Sequence, residues 1–134
     1  MGLLNQLFAG TAADAEAFTS ASRPGRALPI GGMTSLEFES LWSILDGRDW
    51  DPKVHSLDEL RSSESDWLFR LPAPFVGALV GAPAASLDGV AAAWARTEEL
   101  ACEPDEIRPV LIGLIELARD ARTAGLSLFL YVSL

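Results

Sequence analysis

The chain has 134 residues, of which 49% are hydrophobic, so it can bury the core of one domain, 1–134, without disulfides. Nineteen carboxylates against ten lysines and arginines give a net charge of −9, which disfavours binding to nucleic acid and to anionic membrane surfaces. The same charge suits a basic protein partner.

Residue usage predicts a bacterial, cytoplasmic protein. Nine of the ten basic residues are arginine and alanine is abundant, which is typical of a GC-rich bacterial genome. Cys102 is the single cysteine, so no intramolecular disulfide can form, and a reducing compartment fits. The N-terminal "MGLLNQLFAG" lacks the basic flank of a signal peptide. The apolar run "LPAPFVGALVGAPA" is shorter than the roughly 20 residues of a membrane span.

The first elements are short. Residues 2–8 are apolar and predict a strand or a helical turn. Thr11 is placed to cap a short helix that ends near Phe18. Residues 19–32 are rich in Ser, Pro and Gly and predict a long surface loop.

A helix begins after Thr34, because Thr34 and Glu37 have the spacing of a capping box, and Gly47 is placed to end it. Its apolar stripe is predicted to be Leu36, Phe38, Leu41, Trp42 and Leu45. Ser56 and Glu59 repeat the capping-box spacing and predict a second, short helix over "LDELR".

The next stretch, "DWLFRL", alternates, which predicts a strand with Trp67, Phe69 and Leu71 on one face. Pro72 ends this strand. The following "PFVGALVG" predicts a short buried helix.

Two longer helices and a strand complete the chain. Ser86 is predicted to cap a helix whose apolar stripe is Leu87, Val90, Ala91, Trp94 and Ala101. The longest helix is predicted over 106–123, with Pro109 in its first turn and Gly125 after its end. Residues 126–132 are apolar on both faces, which indicates a central, covered strand. The pattern predicts a helix-rich α+β domain with a small sheet that includes this C-terminal strand.

Three stretches of the chain, "MGLLNQLFAGTAADAEAF", "FESLWSILDG" and "ARDARTAGLSLFLYVSL", resemble the layout of the YfbM-like family of uncharacterised bacterial proteins. Those chains begin Met-Gly, carry a Trp-x-x-Leu helix ending in Gly, and finish on a Gly-preceded apolar strand. This chain departs from them at Asp46, where the family has a histidine. The resemblance implies a small cytoplasmic α+β protein that binds protein, with toxin neutralisation as one option. It carries over no functional residue.

The stretch "DWDPKVHSLDEL" (49–60) holds the only histidine, His55, and the only lysine. A hydrolase needs a base beside a nucleophile and an orienting acid, so His55 would have to be that base. The chain has no Gly-x-Ser-x-Gly elbow, and Ser56 is explained by helix capping. No catalytic residue is therefore assigned. A small enzyme, such as a hydrolase, with a site around His55 and nearby carboxylates stays the alternative.

The same stretch supplies metal-ligand types at Asp49, Asp51, His55, Asp58 and Glu59. Their spacing matches neither a zinc pattern nor an EF-hand, and Lys53 places a cation among them. The chain also lacks phosphate-binding glycine loops. No metal and no cofactor are predicted.

Trp50 differs from the other tryptophans, because charged residues surround it and no periodic pattern buries it. Such a tryptophan is either an interface anchor or a lid folded onto the core. The stretch 46–66 has seven carboxylates against three cations, a local charge of −4. We therefore predict a non-enzymatic protein-binding module, of immunity or chaperone type, which binds through Trp50, Asp49, Asp51, His55 and Asp58. Homo-oligomerisation through an exposed apolar face is the third option.

Overall fold

The computed structural model describes residues 4–17, 27–29, 33–98 and 100–133. Its strands are β1 (Leu4–Gly10), β2 (Ala27–Pro29), β3 (Asp58–Ser62), β4 (Asp66–Arg70) and β5 (Ser127–Ser133). Its helices are α1 (Ala12–Ala17), α2 (Ser35–Asp46), α3 (Ala73–Gly81), α4 (Leu87–Ala95) and α5 (Pro104–Thr123), with a 3-10 turn at Ala84–Ser86. The predicted helix-rich α+β architecture is confirmed.

The strands form one antiparallel sheet in the order β2-β1-β5-β4-β3. The C-terminal strand β5 lies in the middle of this sheet, between β1 and β4. Leu128, Leu130 and Val132 are buried on one of its faces, and Phe129 and Tyr131 are buried on the other. The predicted central, covered position of this strand is therefore confirmed.

Each face of the sheet has its own apolar cluster. The larger cluster packs α2 to α5 against one face and includes Trp42, Phe75, Trp94 and Leu130. Trp67, Phe69 and Leu71 join it, as the alternation of "DWLFRL" predicts. The smaller cluster on the other face consists of Phe8, Ala15, Leu68, Phe129 and Tyr131.

Helix α2 carries the residues that position the candidate site, and its ends form as predicted. The Glu37 carboxylate accepts hydrogen bonds from the backbone N–H (2.8 Å) and the hydroxyl (2.6 Å) of Thr34. Gly47 follows the last helical residue with φ of 69°, and its N–H donates to the carbonyl of Ile44. Leu36 is the exception, because it is 56% exposed and lies outside the buried stripe.

Gly47 gives a direct test of this helix end. Replacing it with alanine forces a side chain into the left-handed region, and we expect the free energy of unfolding to fall by about 1 kcal/mol. Gly89 is the matched control: it lies inside α4, and a Cβ added there would meet no other atom within 4 Å. Gly89→Ala should raise the unfolding free energy by up to about 1 kcal/mol. Urea denaturation of both variants measures the two effects, and equal shifts would contradict the assigned conformation of Gly47.

The second predicted helix is wrong. Residues Asp58–Ser62 form strand β3, which pairs with β4 through a bulge between Glu59 and Arg61. Ser56 caps no helix, since its hydroxyl donates to the carbonyl of Pro52. The capping-box spacing is a local signal, and pairing with β4 overrides it. Leu60 is the extra residue of the bulge and is 47% exposed.

Three details of the later helices also differ from prediction. The Ser86 hydroxyl donates to the carbonyl of Pro83 and makes no cap bond to α4. Helix α4 ends at Ala95, so Ala101 lies outside its stripe and is exposed with φ of 43°. Helix α5 begins at Pro104, so Pro109 is its sixth residue and lies beyond the first turn. Gly125 follows the end of α5 with φ of 70°.

Only some of the predictions for the N-terminal part of the chain fall on residues that the structure describes. Residues 4–10 form strand β1, and Thr11 caps α1 through reciprocal hydrogen bonds with Asp14. Ala27–Pro29 form strand β2, which corrects that part of the predicted loop. Phe18 and the rest of the predicted loop lie outside the described residues.

Among the described residues, no single helix has the length and apolar composition needed to cross a membrane. The segments Ala73–Gly81 and Ala84–Ala95 meet the length and composition requirement only when they are taken together, and their axes meet at a bend of 91°.

Candidate functional site

His55 lies at the centre of the predicted site and has no exposed surface. The backbone N–H of Asp51 donates to Nδ1 of the ring (3.0 Å), which places the ring proton on Nε2. Nε2 then donates to Oδ2 of Asp46 (2.8 Å), at the end of α2. One side chain therefore ties the loop after α2 back to the helix end.

The loop around His55 is built from a tight turn that begins at Asp51. The backbone N–H groups of Val54 (2.9 Å) and His55 (2.7 Å) both donate to the Asp51 carbonyl. The Asp51 carboxylate accepts the backbone N–H of Lys53 (2.9 Å), and Pro52 stiffens the turn. This hydrogen bonding carries the chain from an exposed loop to a buried histidine within four residues.

Aromatic rings hold the imidazole from the core side. The rings of Trp42 and His55 pack edge to face, with centroids 5.4 Å apart and planes at 78° to each other. Trp42 in turn stacks on Phe75 of α3, at 5.2 Å and 7°. The ring is thus fixed by two hydrogen bonds on one side and by packing on the other.

Trp50 lies in the loop after α2 and is 48% exposed. Its indole N–H interacts with the carboxylate of Glu39, a buried residue of α2, and lowers the pKa of that carboxyl group. The same carboxylate accepts the backbone N–H of Leu57 at 3.2 Å. Trp50 is therefore neither a free surface residue nor a lid, since about half of it is exposed while its indole N–H interacts with Glu39 of α2.

The two carboxyl groups under the loop have opposite pKa shifts. Burial raises the pKa of Glu39, and the hydrogen bonds from Leu57 and Trp50 offset this only in part. Hydrogen bonds from Arg48, and then from His55, lower the pKa of Asp46. Asp46 is thus stabilised in its charged form, whereas Glu39 carries a desolvation cost when charged.

These shifts predict opposite dependences of stability on pH. Glu39 binds its proton more tightly in the folded chain, so its contribution to stability falls as pH rises from its unfolded pKa to its folded pKa. Asp46 contributes stability above its unfolded pKa and loses it as pH falls through its lower folded pKa. Relative to wild type, Glu39→Gln should therefore gain stability with rising pH, and Asp46→Asn should lose it.

Urea denaturation of both variants between pH 3 and pH 7 measures this difference (a range of about four units that spans ordinary carboxyl pKa values). Parallel pH profiles for the two variants would contradict the assigned environments.

The structure separates the five predicted partner-binding residues. Trp50, Asp49 and Asp51 lie together in the exposed loop. His55 is buried beneath that loop and cannot contact a partner directly, so its predicted place in the contact surface is wrong. Asp58 lies at the start of β3, where its carboxylate accepts hydrogen bonds from Nε (3.3 Å) and Nη2 (3.0 Å) of Arg70.

The alternative of an enzyme based on His55 finds no support in this geometry. A general base must reach a proton of the substrate. Both ring nitrogens of His55 are hydrogen bonded within the protein, and the ring has no exposed surface. Within the ranges that the structure describes, no group of three or more His, Cys, Asp or Glu side chains is placed to hold a metal ion.

Two residues that organise the site, Glu39 and Asp46, were not found from the sequence. Glu39 lies three residues before Trp42 on α2, and a carboxylate beside an apolar stripe normally indicates an exposed flank. Asp46 was noted only as a departure from the YfbM-like pattern. The available signal was the placement of Asp46 at the helix end, close in sequence to the one histidine.

No protein-family model matches the chain, and comparisons with curated proteins and with solved structures also find no match. The resemblance to the YfbM-like family therefore stays a prediction.

Proposed function

We propose that this chain is a non-enzymatic binding module that docks a basic protein on the loop around Trp50. The observation that carries the proposal is the state of Trp50, a half-exposed indole whose N–H interacts with the buried Glu39. We define the docking surface as Trp50 with its exposed neighbours Asp49 and Asp51.

Preorganisation supports a docking role. An anchor that is already fixed loses less conformational entropy on binding than a mobile one. The His55 bridge from Asp51 to Asp46 fixes the loop that carries the indole, and the indole N–H interacts with Glu39 of α2. Tryptophan is also among the residues most enriched at the energetic centres of interfaces.

Charge supports a basic partner. Asp49 has no hydrogen bond or ion pair in the part of the chain that is described, so its charge is available. The loop itself is only weakly acidic, with Asp46, Asp49 and Asp51 against Arg48 and Lys53. The net charge of −9 on the whole chain supplies the longer-range attraction. Charge is therefore proposed to speed encounter, and Trp50 to hold the complex.

The finer form of this role is neutralisation of a cationic toxin or chaperoning of a basic chain, in a bacterial cytoplasm. Both uses need a rigid acidic surface and no catalytic group. Self-association would use the same anchor in a homo-oligomer, and light scattering of the purified protein distinguishes that case by mass.

The proposal is tested by affinity capture from cells of the source bacterium, with the wild-type chain and its variants as bait. We expect wild type to retain one or more basic proteins that Trp50→Ala fails to retain. Leu60→Ala is the matched control, because Leu60 is an apolar residue with the same exposure, 47% against 48%, on strand β3. It should retain the same proteins as wild type.

The double variant with Asp49→Asn and Asp51→Asn should retain the same proteins as wild type. It should release them at a lower salt concentration than wild type does. Retention of an identical set of proteins by Trp50→Ala and by wild type would overturn the proposal.

A further inference from the structure

A second concave site lies away from the Trp50 loop, where the ends of the central strands meet α3 and α5. It is an open cleft of about 570 Å³, within the range of small-ligand pockets. Its charged residues are Asp58, Arg70 and Arg122. Val76 and Leu126, which are both half-buried, provide apolar surface.

The arginines of the cleft differ in how they are held. Arg70 is fixed by the Asp58 carboxylate, which uses Nε and Nη2 and leaves the Nη1 donors of the guanidinium for another acceptor. Arg122 is exposed near the end of α5, and its side chain has no hydrogen bond or ion pair among the described residues. The three charged side chains sum to +1, in a chain whose net charge is −9.

Other elements of the cleft add little to its charge. Pro74 has no N–H, and the N–H groups of Phe75 and Val76 both donate to the Pro72 carbonyl. The start of α3 therefore brings at most one backbone N–H, that of Ala73, to the cleft. The end of α5 brings carbonyl groups, which repel anions. Any attraction for an anion must come from the guanidinium groups.

We propose that this cleft binds a small organic monocarboxylate, whose carboxylate is held by Arg122 and Arg70 and whose apolar body lies against Val76 and Leu126. The planar guanidinium matches a carboxylate with two parallel hydrogen bonds. The net charge of +1 suits a monoanion, and Asp58 opposes the second charge of a phosphate monoester. The apolar walls select for an organic body over an inorganic anion.

This inference is independent of the docking surface. The cleft contains neither Trp50 nor its supporting residues Glu39 and His55. Asp58, which the sequence assigned to partner binding, here has a different role as the residue that orients Arg70.

The test is a titration of the full chain, followed by the backbone amide signals in two-dimensional NMR. The probes are benzoate and hexanoate, the neutral benzamide, and phenyl phosphate, each at millimolar concentration. We expect the two carboxylates to shift the signals of Gly77, Gly125 and Ser127, which line the cleft. Benzamide should shift them far less, and phenyl phosphate should bind more weakly than benzoate.

Arg122→Gln is the informative variant, because Arg122 is exposed and its replacement leaves the fold intact. It should weaken benzoate binding about tenfold, the loss expected for one charge-assisted hydrogen bond. Arg96→Gln removes the same charge from an exposed turn outside the cleft and should bind benzoate like wild type. Arg70→Gln should weaken benzoate binding as well, which tests the second guanidinium.

Four results would overturn the proposal. These are equal shifts with benzamide and benzoate, unchanged benzoate affinity in Arg122→Gln, tighter binding of phenyl phosphate than of benzoate, and no shift of cleft signals by either carboxylate. If Arg122 only stabilised the end of α5 and did not contact the ligand, the affinity for benzoate would be unchanged in Arg122→Gln. Trp50→Ala should leave the titration unchanged.

Discussion

His55→Ala is expected to lower the free energy of unfolding by about 3 kcal/mol and the melting temperature by about 10 °C. The imidazole makes two hydrogen bonds, to the Asp51 N–H and the Asp46 carboxylate, and its ring packs against Trp42. Alanine removes these interactions and leaves a cavity beside Trp42. Thermal and urea denaturation measure the loss.

Two further variants separate the contributions of the ring. His55→Gln can keep a donor toward Asp46 while it loses the acceptor for Asp51, so we expect an intermediate loss of stability. Lys53→Ala changes an exposed side chain of the same loop and should shift the unfolding free energy by less than about 0.5 kcal/mol. If His55→Ala melted at the wild-type temperature, the described bridge would be wrong, and the enzyme alternative would regain support.

Trp50→Ala is expected to weaken the complex with the captured basic protein by about 2 kcal/mol or more, which is about thirtyfold in Kd. The loss should appear mainly in the dissociation rate, because the indole is proposed to hold the complex after encounter. The free chain should lose only about 1 kcal/mol of stability, since half of the indole is already exposed. Surface plasmon resonance with the purified partner measures both rates.

Trp50→Phe is the conservative variant, and it separates the contribution of the aromatic surface from that of the indole N–H. Phenylalanine keeps most of the aromatic surface but cannot donate to Glu39, so the loss of affinity should be smaller than for alanine. Leu60→Ala should bind like wild type. Equal dissociation rates for wild type and Trp50→Ala would show that the partner docks elsewhere.

Local backbone signals in the sequence were enough to predict much of the fold. Thr34 and Glu37 form the expected box, and Gly47 and Gly125 take the left-handed conformation that ends a helix. The apolar residues on both faces of the last strand predict its central place, because only a strand covered on both faces buries both sets of side chains.

Signals that depend on partners distant in the chain were missed or misassigned. Ser56 and Glu59 have the spacing of a capping box, but pairing with β4 makes this segment a strand. His55 is predicted from the sequence to take part in partner binding, whereas the ring is buried against Trp42 and hydrogen bonded to Asp46 of α2. The cleft was not foreseen, since Arg70 and Arg122 are 52 positions apart in the printed sequence and meet only through the sheet.

Hydrogen exchange of the chain, with and without the captured basic protein, tests the central claim most directly. Binding is expected to slow exchange of the backbone amides of residues 48–57 and of the α2 turn around Glu39. Amides of α3 and α4 should exchange at the same rate in both states. Protection confined to α3 and α4, with the Trp50 loop unchanged, would contradict the proposed docking surface.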